Sequence, residues 1–184
     1  MNILYYTWDE IIVTDMTETL EEQGHSVKVI HYDLKSYVND AAFVMFVENE
    51  LAAAHYDCIM TTNYFSVISK ISLRNKIKYI SWVFDSPCFT TYSEMIYNLY
   101  NYVFHFDSNE VRKLRAKGVQ NIFHMPLAVN TKRVAEVVKA HKKNDYDGLE
   151  VSFLGNLYTD TNFFDMIAGV SDYHKGYINA AIDA

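Results

Sequence analysis

Ile77-Lys78-Tyr79-Ile80-Ser81-Trp82-Val83-Phe84-Asp85-Ser86-Pro87-Cys88 is the stretch whose reading decides the fold. Six of its first eight residues are β-branched or aromatic, with only Lys78 and Ser81 between them. A run apolar on both faces fits a central parallel strand covered by helices. It stops at Asp85, Ser86 and Pro87, polar and turn-forming residues. In open α/β sheets ligands bind beyond the carboxyl ends of the strands, which makes this stop a first place to look for chemistry. The same residues also suit a plain structural role, with Asp85 and Ser86 capping a helix that Pro87 opens.

The same grammar repeats on either side. Ile3 to Trp8 reads as a strand ending at Asp9. A helix from about Ile11 to Gln23 carries Ile12, Met16 and Leu20 at spacings of four, and Gly24 stops it. Ser26 to Tyr32 is a second strand, closed by Asp33, and Ala41 to His55 a second helix. Cys58-Ile59-Met60 is a third strand, ending in Thr61-Thr62-Asn63-Tyr64, with a helix from Ser66 to Arg74 behind it. Beyond Pro87 a helix is expected over Tyr92–Tyr100. Tyr102 to Phe106 is a fifth strand ending in Asp107-Ser108. Asn109 to Lys117 is a helix closed by Gly118, and Asn121 to Met125 a sixth strand. Strands and helices that alternate with short connections specify a doubly wound, mainly parallel Rossmann-like α/β sheet.

The character changes after Thr131–Ala140, which reads as helical. Residues 139–150 are polar, charged and end near Gly148, the composition of an interdomain linker. Val151-Ser152-Phe153-Leu154-Gly155 then reads as the first strand of a second Rossmann-like unit. The expected division is therefore residues 1–138, a linker over 139–150, and a fragment over 151–184. A further domain of this type needs on the order of 100 residues, so the chain is expected to be the N-terminal part of a longer, truncated whole.

Composition narrows the function. The chain has 184 residues and a formal charge of −7, which argues against a nucleic-acid partner. Its 15 tyrosines combine ring surface with hydroxyls, suiting core packing and carbohydrate faces alike. Cys58 and Cys88 show no metal spacing and read as buried residues of a reducing compartment. No leader segment and no apolar run of about 18 residues is present, so a cytoplasmic location and no transmembrane segment are expected. His25, His31 and His55 are scattered and form no metal spacing. Trp8-Asp9-Glu10 stands where a dinucleotide-binding chain carries its glycine-rich turn. P-loop and Gly-x-Ser-x-Gly motifs are lacking as well.

The strand ends supply Trp8 and Asp9; Asp33; Thr61, Thr62 and Asn63; Asp85 and Ser86; His105, Asp107 and Ser108; and Asn130. In a doubly wound sheet these converge on one edge and line one cleft, although each alone suits a cap or turn. His105 lies inside Val103-Phe104-His105-Phe106. It reads either as a core histidine or, if turned to the cleft, as a base or ligand.

Several segments carry a resemblance. Asn2-Ile3-Leu4-Tyr5-Tyr6, followed by a helix closing on Gln23-Gly24-His25, resembles the opening of GT-B glycosyltransferases. Tyr102–Ser108, Lys117-Gly118-Val119 and His124-Met125-Pro126-Leu127-Ala128-Val129-Asn130 are similar to segments of CgeB-like glycosyltransferases. Val151-Ser152-Phe153-Leu154-Gly155-Asn156-Leu157-Tyr158 resembles the opening of their nucleotide-sugar domain. The resemblance implies an acceptor bound by the N-terminal domain and a nucleotide-sugar co-substrate held mainly by the C-terminal one, with no metal and no further cofactor. It implies acceptor contacts from Trp8, Thr62, Asn63, Ser86, Asp107 and Ser108. Donor phosphates would lie near Gly155 and Asn156. In an inverting reaction the base would be Asp85 first, then Asp9 or His105; a retaining one needs none. The side chains that usually hold the donor lie beyond Ala184, so this chain alone is expected to be inactive. Two rival readings stand beside this one. One is a non-catalytic, flavodoxin-like module binding a sugar, nucleotide or protein; the other is self-association through the apolar C-terminal helix.

Overall fold

The computed structural model describes residues 1–140 and 171–182. The chain divides into two compact units, Met1–Val138 and Lys139–Ala184. The expected linker begins inside a helix, because Lys139 and Ala140 are helical; the rest of it, and the expected strand with Gly155 and Asn156, lie outside the described residues.

The first unit is built on six strands: β1 (Asn2–Thr7), β2 (Ser26–His31), β3 (Cys58–Thr62), β4 (Lys78–Val83), β5 (Asn101–His105) and β6 (Ile122–His124). All pairs are parallel, in the order β2-β1-β3-β4-β5-β6. This is the Rossmann-like α/β fold expected from the alternation. The chain first moves outward from β1 to β2, then jumps back over β1 to β3 and continues the other way. The reversal puts the topological switch point between β1 and β3, the place where doubly wound folds bind their ligands.

Side-chain alternation along the strands divides the core. Leu4, Tyr6 and Ile59 face helices α2 (Ala41–Ala53), α3 (Ser66–Asn75) and α4 (Ser108–Ala116), packing on Phe43, Val47, Val67, Ile68, Val111 and Leu114. Ile3, Tyr5, Cys58 and Met60 face α1 (Val13–Glu22) through Val13, Met16 and Leu20. β4 departs from the expectation of a strand covered equally on both sides. Tyr79, Ser81 and Val83 are buried, but Ile80 and Trp82 on the α1 side are only partly so. Gly24 and Gly118 take positive φ just past α1 and α4, ending those helices as a left-handed cap requires.

The expected helix over Tyr92–Tyr100 is not there. Two short 3₁₀ turns, Phe89–Tyr92 and Glu94–Tyr97, occupy the β4–β5 connection instead. Polar side chains outcompete the helical ladder here. Ser93 accepts from Met95 N–H at 3.1 Å, and Asn98 Oδ1 accepts from Tyr100 N–H at 3.0 Å. Asn98 Nδ2 reaches into α3 to Ser69 O at 2.8 Å, and Asn101 Nδ2 donates to Met95 O at 2.8 Å. Nor do Asp85, Ser86 and Pro87 form a helix start; the residue preceding the first turn is Cys88, with no side-chain cap.

The chain continues from β6 into α5 (Thr131–Ala140), whose start is tied to α1: Arg133 Nη2 donates to Asp15 Oδ2 at 2.8 Å and Asn130 Nδ2 to Asp15 Oδ1 at 3.0 Å. In the second unit α6 spans Asp172–Ile182, with Tyr173 and Tyr177 exposed. Among the described residues no helix is long and apolar enough to cross a membrane.

The fully buried Tyr79 holds the strand ends together. Its hydroxyl accepts from Phe65 N–H at 2.9 Å and lies 2.8 Å from Thr61 Oγ1. Thr61 gives its own proton to Asn63 O at 2.7 Å, so Tyr79 is the donor in the Thr61 contact. Tyr79→Phe strands a buried N–H and an unfilled acceptor, and is expected to cost about 1–3 kcal/mol in urea-induced unfolding. A loss near zero contradicts this role.

Candidate functional site

The first turn after β1 is where a Rossmann-type dinucleotide site places its phosphates. Here that turn is Trp8-Asp9-Glu10, and the Glu10 carboxylate folds back into it. Glu10 Oε1 accepts from Tyr5 OH at 2.8 Å; Oε2 accepts from Thr7 Oγ1 at 2.8 Å and from Trp8 N–H at 3.0 Å. Glu10 is buried, at 7% exposure. Three donors converge on an anion, as in a phosphate site, but the anion is the protein's own. Burial, and then the neighbouring Glu10 charge, push the Tyr5 phenol far above its usual range.

Around this turn the strand ends are held in special conformations. Asp9 and Asn63, at the ends of β1 and β3, are both left-handed, with φ of 65° and 56°. They flank the switch point, and such conformations concentrate at functional sites. Asp9 N–H donates to Thr7 Oγ1 at 3.1 Å. The exposed Trp8 reaches across the switch point, its indole N–H donating to Thr62 Oγ1 at 3.2 Å. Thr62 itself belongs to β3 and is buried.

Asn63 joins β3 to the segment after β4. Its Oδ1 accepts from Phe84 N–H at 3.0 Å and Asp85 N–H at 3.3 Å, and its Nδ2 donates to Asp85 Oδ2 at 2.7 Å. Asp85 is exposed, with its carboxylate oriented by that amide. Ser86 Oγ donates to Asp107 Oδ2 at 2.7 Å, linking the ends of β4 and β5. Asp107 caps α4, accepting from Asn109 N–H at 2.7 Å, and Ser108 opens that helix in an exposed position. Ser86 first and then Asn109 N–H hold the Asp107 carboxyl below its usual range.

His105 is wholly buried and does not face the edge. Its Nδ1 accepts from Asp107 N–H at 3.0 Å, which leaves the proton of the neutral ring on Nε2, an atom without a partner among the described residues. Burial lowers its pKa, partly opposed by Asp107 and Glu110. Of the two readings left open by its sequence, the geometry favours the core one: His105 positions Asp107, which in turn positions Ser86. Asn130 is paired with Asp15, in the first turn of α1.

The grouping that the sequence did not reveal involves His31, at the end of β2. Its Nε2 lies 3.1 Å from Asp9 Oδ2 and 3.7 Å from Asp33 Oδ1. These residues rim a groove of about 230 Å³ whose walls include Tyr6, Trp8, Tyr32, Tyr37 and Phe65. The only available signal was topological: β1 and β2 pair, and Thr7 lies in register with His31. The strand-end residues thus fall into three linked groups along one edge: Asp9–His31–Asp33, Trp8–Thr62 with Asn63–Asp85, and Ser86–Asp107.

No family model matches this chain, and no curated protein matches it.

Asp107 gives a pH signature. A carboxyl whose folded pKa lies below the ordinary 3.8 stabilises the fold above that value, and its contribution is lost as pH falls through the folded pKa. Asp107→Ala should therefore melt below wild type near neutrality, the gap narrowing as pH drops under about 4. Melting temperatures recorded across the acid range test this, and a gap independent of pH contradicts it.

Proposed function

We propose that the Met1–Val138 unit is the acceptor-side Rossmann-like domain of a GT-B glycosyltransferase. The order and spacing of the segments similar to CgeB-like enzymes supply the enzyme class. One structural observation carries the assignment to the acceptor side: the anion position of the β1–α1 turn is filled by Glu10. A nucleotide-sugar diphosphate brought there would meet a carboxylate where it needs N–H donors. Carboxylates and aromatic rings line the edge instead, which suits the hydroxyls and ring faces of an acceptor. The donor would be bound by a second nucleotide-binding domain, beginning near Gly155 and Asn156.

In an inverting reaction the proton of the acceptor hydroxyl must be taken as the glycosidic bond forms. Asp85 is the first choice, exposed and oriented by the Asn63 amide. Asp9 is the second, paired with His31. The burial of His105 argues for an indirect role. A non-catalytic, flavodoxin-like binding module is the alternative, favoured by the strand order, which extends the 2-1-3-4-5 arrangement of that fold.

Thermal shift against UDP-, GDP- and TDP-sugars separates the two. This chain alone is expected to show no shift, and a chain that also carries a complete donor domain a rise for one nucleotide. Stabilisation of the short chain refutes the acceptor-side assignment. Silence from both chains at ligand well above a millimolar Kd favours the binding module.

A further inference from the structure

We propose that the groove beyond β1 and β2 takes an organic ammonium: a small polar ring or chain bearing a protonated amine. The inference rests on reading this edge as the ligand-binding side of the domain, and adds the charge of the ligand.

The groove, of about 230 Å³, suits one sugar-sized ring. Trp8, Tyr32 and Tyr37 contribute ring surface to its walls, and the Trp8 and Tyr37 side chains are exposed or half-exposed. Electron-rich faces of Trp and Tyr attract cations as well as sugar C–H groups. The Asp9 and Asp33 carboxylates both reach the same nitrogen of His31, so they converge on one point at the rim. That nitrogen carries an N–H donor where an ammonium would present several. Neither Lys nor Arg is among the residues lining the groove. The rim carries the carboxylates of Asp9 and Asp33, on a chain of formal charge −7.

The outer wall is built in advance. Tyr37 comes from the β2–α2 connection, and its carbonyl accepts from Val67 N–H at 3.1 Å and Ser66 Oγ at 2.8 Å. Asp40 closes the other end of that connection, accepting from Lys35 N–H and Phe43 N–H, each at 3.0 Å. The Tyr37 carbonyl also covers the start of α3, a helix with no side-chain cap of its own. One amide of the first turn of α3, that of Val67, is therefore committed to the protein.

D-glucosamine and D-glucose test the charge directly, since they share a ring and differ by an ammonium for a hydroxyl. Each is titrated into the intact chain slightly below neutral pH, and the Trp8 indole N–H is followed by ¹⁵N NMR. The expected result is a saturable shift with glucosamine, about tenfold tighter than with glucose. N-acetylglucosamine, which lacks the charge, should behave like glucose. Asp9→Asn combined with Asp33→Asn should abolish the preference, bringing glucosamine and glucose to the same affinity. Both side chains are exposed, at 79% and 99%, and Asn tolerates the left-handed backbone of residue 9. Equal affinity for the two sugars, no saturable shift with glucosamine, or a preference that survives the double substitution overturns the proposal. None of these outcomes alters the nucleotide-sugar test, which probes a different ligand.

Discussion

The buried carboxylate of Glu10 is the contact on which the strand-end edge depends. Among the described residues no cation pairs with it, and a carboxylate so withdrawn from water is tolerated only when hydrogen bonds replace its hydration. Tyr5 and Thr7 supply two of them, lying two residues apart in β1 and so on the same side of the sheet. Trp8 N–H supplies the third and commits the backbone of the turn. From there the chain has one course: Asp9 enters the left-handed region, its carboxylate meets His31, and the Trp8 indole crosses to Thr62. A single side chain thus removes an anion site and lays out what stands in its place.

A second fastening continues along the edge. Asn63 binds two amides and one carboxylate of the segment after β4, while Ser86 and Asp107 repeat the link from β4 to β5. Beneath the last link lies His105, and beneath Asn63 lies Tyr79, acting through Thr61. Both of these links are therefore backed by a buried residue. Such preorganisation lowers the ordering cost of binding a ligand.

Much of the architecture was legible in the sequence, because it follows from composition along short segments. Runs such as Tyr79–Phe84 and Val103–Phe106 announce strands, Gly24 and Gly118 announce helix ends, and the polar residues after each strand announce the edge. What stayed hidden depends on partners distant in sequence. The spacing of Tyr92–Tyr100 allows a helix, but Asn98 finds Ser69 and Asn101 finds Met95, so the helical ladder yields to turns. Trp8-Asp9-Glu10 shows a glycine-rich turn to be missing without showing that Glu10 fills the gap. His31 looks isolated until pairing of β2 with β1 brings it beside Asp9. His105 could face either way by alternation alone, and packing turned it inward.

The central claim is that the β1–α1 turn is closed to phosphate by its own glutamate. A nucleoside diphosphate titration monitored by ¹⁵N–¹H correlation spectra tests it at the atoms concerned. The account predicts that the amides of Trp8, Asp9 and Glu10 stay in place as the diphosphate is added to the wild-type chain. Saturable shifts centred on the Trp8 amide would contradict it, because they require the Glu10 carboxylate to leave and an external anion to take its donors.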